Sequence, residues 1–173
     1  IDVSGANGAS SLDGIENLPN LTEINAKGNS NITEVDLSGN PNLEKVNLNG
    51  TDISELDVTH LENIWSLDIS DTAIESIDLS NNLELKSVMF SDTQLKTIDL
   101  SKQDKLNRFW LSRNNNLETV ILPENIVNYL ENNYAQINDN ENLKTIENIS
   151  NLKNFPTVNI YNLHSLQSPI DLD

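Results

Sequence analysis

Two histidines and 27 acidic residues are the groups in this 173-residue chain that could do acid–base or metal chemistry, and no cysteine accompanies them. His60 and His164 stand far apart, and neither lies in a nucleophile elbow, a zinc-binding spacing or a phosphate-cradling glycine loop. The absence of cysteine removes thiolate ligands, thiol nucleophiles and disulfides together. Carboxylate pairs of the glycosidase kind do occur, but with 27 acids they are unavoidable, and spacing alone singles out none. The one ordered set is a column of Asp36, Asp57, Asp78 and Asp99, each followed two residues on by Ser38, Thr59, Ser80 or Ser101. Aspartates stacked at a strand spacing of about 4.8 Å repel unless hydroxyls, water or cations intervene. A calcium column is one way out, yet the DxDxDG loops and GGxGxD turns that wrap calcium are missing. Structural hydrogen bonding by the Ser and Thr residues is therefore expected, with no enzymatic activity, cofactor or obligatory metal.

The elements that carry these residues are set by repetition. From Leu43 to Leu122 one phrase recurs: LEKVNLNGT, ISELDVTHL, IWSLDISDT, AIESIDLSN, LKSVMFSDT, LKTIDLSKQ, LNRFWLSRN, LETVILPEN. Half-units start at Leu43, Ile53, Ile64, Ile74, Leu85, Leu95, Leu106 and Leu117, which gives a full period of 21 residues. Apolar residues fall at positions 1, 4 and 6 of each half-unit. Positions 4 and 6 alternate like a strand with one buried face, and so short a strand must stack on copies of itself to bury that face. The spacing predicts a solenoid of about eight turns, with Val46, Leu67, Val88 and Phe109 in one buried column. The second half-unit predicts another short-stranded parallel sheet on the opposite flank.

The form LxxLxLxxN/T resembles the leucine-rich repeat. The paired half-units with a recurring (L/I)D(L/I/V)S are similar to the internalin family of bacterial surface proteins, especially the internalin J type with 21-residue repeats. The resemblance implies an α/β leucine-rich-repeat solenoid, mostly β: a curved right-handed array with a parallel concave sheet of about eight short strands, and short strand or 3₁₀ segments opposite. It covers residues 1–173 as a single domain, most regular over 21–122. In such repeats the Asn at position 9 turns inward to satisfy backbone groups. Here that position holds Asn29, Thr51, Thr72, Thr93 and Asn114.

Outside the regular part, Leu12, Ile15, Leu18 and Leu21 recur every third residue, which suits a 3₁₀ turn, and ENLKTIENISNLKN repeats that pattern. PENIVNYLENN, with Pro123 in a first turn, predicts a short helix. Four N-x-S/T triplets, at Asn20, Asn31, Asn49 and Asn148, are products of the repeat consensus. A formal charge of -17 repels phosphate backbones and anionic membranes, so neither nucleic acid nor membrane insertion is expected. No apolar run approaches the roughly 18 residues of a membrane span. The chain reads as an excerpt of a longer protein, monomeric, with signal and anchor outside it. The family resemblance implies an extracellular place on a bacterial cell surface.

Three roles fit such an array: an adhesion module binding a protein or glycan partner on its concave sheet, a rigid spacer that presents other domains, or a self-association unit. A spacer should fill the outward positions 2, 3, 5, 7 and 8 with small polar residues. Instead Trp65 and Lys86 stand at position 2, Arg108 and Tyr134 at position 3, Met89 and Trp110 at position 5, and Arg113 at position 8. Arg and Trp are the residue types that most often carry interface energy. Lys96, Lys102, Lys105, Arg108 and Arg113 also form a locally basic run, interrupted by Asp99 and Asp104 alone. These seven outward residues are the expected ligand-binding set, and the basic run suits an acidic partner or a glycan that carries carboxylates.

Overall fold

A three-residue strand is stable when its backbone groups pair on both sides and its one inward residue is covered, and the repeat supplies both. The computed structural model describes residues 1–5, 9–126, 131–153, 155–167 and 170. Its strands, in chain order, are β1 (Glu23–Asn25), β2 (Lys45–Asn47), β3 (Ser66–Asp68), β4 (Ser87–Met89), β5 (Thr97–Asp99), β6 (Arg108–Trp110), β7 (Thr119–Ile121), β8 (Tyr134–Asn138), β9 (Thr145–Glu147) and β10 (Thr157–Tyr161). One seven-stranded sheet runs β1-β2-β3-β4-β6-β8-β10, and β5-β7-β9 form a second sheet. All pairs are parallel, and in the long sheet each residue meets its counterpart one turn on, as Val46 meets Leu67.

The expected eighth strand is a single bridge, Asp2 to Asn25. Val3 N–H donates to the Asn25 carbonyl and Gly5 N–H to that of Lys27, so the phase assigned to Ile1 and Val3 holds. Ile24, Val46, Leu67, Val88, Phe109 and Ala135 form one buried column across the sheet. Ala26, Leu48, Ile69, Phe90, Leu111 and Ile137 form the next. Removing such a side chain from water contributes roughly 1.5–3 kcal/mol. Volume is balanced within the column: Phe109 stands opposite the small Ala135 and packs on Phe155, ring centroids 6.1 Å apart.

The second sheet is shorter than the repeat predicts. Ile98, Val120 and Ile146 are fully or nearly buried where β5, β7 and β9 pair. Their counterparts Val35, Leu56 and Ile77 are half-buried, and there the chain turns without forming strands. The every-third pattern becomes 3₁₀ turns at Ile15–Asn17 and Ile149–Leu152. Gly39 fits against the first of these because a Cβ there would fall 1.7 Å from the Glu16 carbonyl oxygen. Val127 and Leu130, on which the expected helix after Pro123 rests, lie outside the described residues. No helix among the described residues is long and apolar enough to cross a membrane.

Position 9 is buried throughout. Thr51 and Thr72 hydroxyls donate to the carbonyls of Leu48 and Ile69 in their own turns. From Thr93 onward the turns are linked: Asn114 Oδ1 accepts the Thr93 N–H and hydroxyl, its Nδ2 donates to Phe90, and its N–H donates to Asn140 Oδ1. A second inward ladder lies on the opposite side. Asn40 donates to Ile15 and Leu18, Asn82 to Val58 and Leu61, and Gln103 to Leu79. Leu61 occupies the equivalent place in the intervening turn and cannot donate. His60 Nε2 reaches the Leu37 carbonyl instead, at 2.8 Å. A carbonyl only accepts, so the proton sits on Nε2.

Candidate partner-binding face

The solvent face of the long sheet is built by the residues that alternate with the buried column. At position 5 it carries Asn25, Asn47, Asp68, Met89, Trp110, Gln136 and Asn159 side by side. Met89 is the register partner of Trp110, as expected from the phase, and Arg108 is that of Tyr134. The indole of Trp110 stacks on the Tyr134 ring with centroids 5.0 Å apart and planes 29° from parallel. Tyr134 is held from its other end: its hydroxyl donates to Gln136 Oε1 and accepts from Asn159 Nδ2. Gln136 in turn donates to the Ser112 hydroxyl, and that hydroxyl donates to Asn138. The pair is thus fixed by a network spanning β6, β8 and β10.

A shallow groove of about 740 Å³ runs along this face, lined among others by Asp68, Met89, Asp92, Trp110, Arg113 and Gln136. Asp68 is 7% exposed. Burial pushes its carboxyl above the ordinary range, against hydrogen bonds from the Ser70 N–H and side chain. The strands end in a corner where position 8 takes left-handed backbone in every turn: Gly28, Gly50, Asp71, Asp92, Arg113, Asp139 and Asn162 all have φ between 54° and 78°. Glycine reaches that region freely, whereas a side chain there is strained. Arg113 spans the corner to Asp92, its Nε 3.0 Å from both carboxylate oxygens, and this bond raises the guanidinium's pKa further.

The seven expected residues therefore divide. Met89, Trp110, Tyr134 and Arg108 lie on adjoining strands of one face, and Arg113 lines the groove at their C-terminal end. Trp65 and Lys86 lie one residue before β3 and β4, at the N-terminal edge of the same sheet. The Trp65 ring receives the Lys45 ammonium 5.1 Å from its centroid, a cation–π contact. The basic run does not form a basic patch, because the coil distributes it around the molecule. Lys105 pairs with Glu84 and Arg113 with Asp92. Lys96 and Lys102 flank β5 on the other side, acting on Glu118 and Asp78. Arg108 is the one member placed on the long sheet. Sequence reasoning missed Asp68 and the left-handed corner, because neither departs from the polar background.

The Asp column resolves into separate turns. Asp36, Asp57, Asp78 and Asp99 each accept the N–H two residues on, from Ser38, Thr59, Ser80 and Ser101, at 2.8 to 2.9 Å. Asp57 also accepts the Thr59 hydroxyl. The Ser38 and Thr59 hydroxyls, with the N–H groups, hold the carboxyls of Asp36 and Asp57 below the ordinary range, and the Ser80 N–H and hydroxyl do the same for Asp78. Among the described residues no group of three or more His, Cys, Asp or Glu could hold a metal ion.

No protein-family model matches the sequence, and comparison with curated proteins finds no match. Solved structures do match. Internalin C2 from Listeria monocytogenes is similar over 94% of this chain and 73% of its own, with a TM-score of 0.66 and 18% identity. TLR13, solved in complex with ssRNA13, is similar over 88% of this chain and 27% of its own, with a TM-score of 0.55 and 21% identity. The functional domain of InlJ from Listeria monocytogenes covers 93% of this chain and 46% of its own, at 18% identity and a TM-score of 0.45. With parallel in-register strands, inward Asn and Thr ladders and, among the described residues, almost no helix, the chain folds as an internalin-like leucine-rich-repeat solenoid.

Proposed function

We propose that this chain is a protein-binding module that docks its partner on the solvent face of the long sheet, centred on Trp110 and Tyr134, with Met89 and Arg108 beside them. The observation that carries this reading is the stacked aromatic pair, half-buried and held by its own hydrogen-bond network, on a face otherwise largely polar. A side chain fixed before binding loses little further entropy when a partner covers it, and Trp and Tyr are enriched among residues that dominate binding energy. Tyr134 already covers one indole face, which favours a protein contact over a stacked sugar ring. The internalin-like fold supports an extracellular place on a bacterial surface, and the charge of -17 disfavours nucleic acid.

The test is binding of labelled protein to cultured host cells. Trp110→Ala should keep the parent's circular dichroism and lose about 2 kcal/mol of binding, roughly thirtyfold in Kd. Asn47→Ala, on the same face two turns from Met89, should bind as the parent does. Parent-like binding by both Trp110→Ala and Arg108→Ala would leave the array as a rigid spacer.

A further inference from the structure

Charge on the central turns of the long sheet is sorted along the strand direction. Lys86 and Arg108 lie at the N-terminal ends of β4 and β6. Among the described residues neither forms an ion pair; Arg108 donates to the Asn132 carbonyl and Lys86 is exposed. The neighbouring Lys45 and Glu23 pair with each other and cancel. At the C-terminal ends the sign reverses: Asp68 and Asp71 line the groove, where Asp92 and Arg113 pair with each other and cancel. Lys27, two residues beyond β1, offsets part of Asp68. The aromatic pair lies between the two ends. Asp68 sharpens the contrast, because its carboxylate is already largely stripped of water and gains most from an incoming cation.

Resting on the reading that this face docks a protein, we propose that its partner is bipolar and binds in one orientation across Trp110 and Tyr134. Acidic side chains of the partner lie over Lys86 and Arg108, and basic ones over Asp68 and Asp71. Charges so arranged select orientation and partner more than they add affinity, since a reversed partner meets like charge at both ends. A uniformly acidic partner, which the linear run of basic residues suggests, meets Asp68 and Asp71. A uniformly basic one meets Lys86 and Arg108.

The test uses three synthetic peptides of equal length around one central Phe: two Glu at one end and two Lys at the other, four Glu, or four Lys. Affinities are read by heteronuclear NMR titration of the whole chain at low salt. The bipolar peptide should bind about tenfold more tightly than either uniform one. Arg108→Glu should erase that preference and favour the four-Lys peptide, Asp71→Lys should favour the four-Glu peptide, and added salt should level all three. Equal binding of the three peptides, a ranking indifferent to both charge reversals, or no binding at all would overturn the polarity. The docking face is judged separately by Trp110→Ala: if that variant weakens all three peptides while the ranking ignores charge, the face stands and the polarity falls. If Trp110→Ala changes nothing either, both fall.

Discussion

Arg113 grips Asp92 of the preceding turn while both residues hold left-handed backbone, at φ 58° and 56°. An exposed ion pair contributes at most about 1 kcal/mol, whereas left-handed backbone costs a residue with a Cβ roughly 1–2 kcal/mol. Arg113→Gly should therefore leave stability unchanged or raise it by up to about 1 kcal/mol. Arg113→Val, β-branched at the same corner, should lower it by about 1–2 kcal/mol. Urea midpoints check both, and a large loss in the glycine variant would mean that the ion pair dominates the corner.

The buried column gives the strongest stability test. Phe109→Ala removes a ring that fills space over Ala135 and against Phe155, and should cost about 3–5 kcal/mol. Val88→Asp should unfold or split the array, since an unpaired buried charge costs several kcal/mol. A variant with the parent's circular dichroism and melting temperature would refute the column.

Asn114 bonds to the turns on both sides of its own. Asn114→Ala should cost about 2–3 kcal/mol by stranding the buried Thr93 N–H and Phe90 carbonyl. Asn114→Thr, the residue used at positions 51 and 72, should recover part of the loss. Denaturant titrations in which the Thr and Ala variants are equally unstable would show that the ladder works by shape alone.

Acid titration separates two kinds of aspartate. The folded-state pKa of Asp68 is raised, so the folded chain binds this proton more tightly than the unfolded chain does. Its contribution to stability is greatest below the unfolded value of about 3.9 and is lost as pH rises through the folded value. Asp68→Asn keeps an acceptor for the Ser70 N–H, as Asn47 does for Asn49, and should raise Tm at pH 7 by an amount that shrinks toward pH 4. Asp57 has the opposite sign. Its lowered pKa adds stability above the unfolded value that disappears as pH falls through the folded one, so Asp57→Ala should lower Tm at pH 7 by an amount that shrinks as the pH falls below 4. Scanning calorimetry from pH 2 to 7 reads both curves, and a pH-independent Tm difference for either variant would contradict its assignment.

Apolar periodicity made the buried columns legible from Ile24 to Ile137, because a one-residue slip would turn each inward residue to solvent. The same phase located Met89 beside Trp110. The corner at position 8 was not legible: Gly28 and Gly50 announce left-handed backbone, but Asp71, Asp92 and Arg113 adopt it because their turns inherit the path of the stack. Asn40, Asn82 and Gln103 fall on one 21-residue register, broken by Leu61, and could have been found had the polar positions been aligned as carefully as the apolar ones. The basic run misled because neighbours in sequence are carried around a coil. Lys96 directly precedes β5 and Arg108 opens β6, strands of different sheets.

The inward ladders also decide where the molecule would tear. Thr51 bonds only within its own turn, and Leu61 offers no donor on the far side. Among the described residues, the side chains joining the turn of β1 to that of β2 are the exposed Lys45–Glu23 pair and the single bond from His60 to Leu37. Farther along, Asn82, Gln103, Asn114 and Asn140 each fasten a turn to its neighbour. Because a solenoid bears load turn by turn, a pulling force along its axis would rupture first at the β1/β2 junction. A tether built this way would peel from its N-terminal end while the turns around Trp110 remained intact.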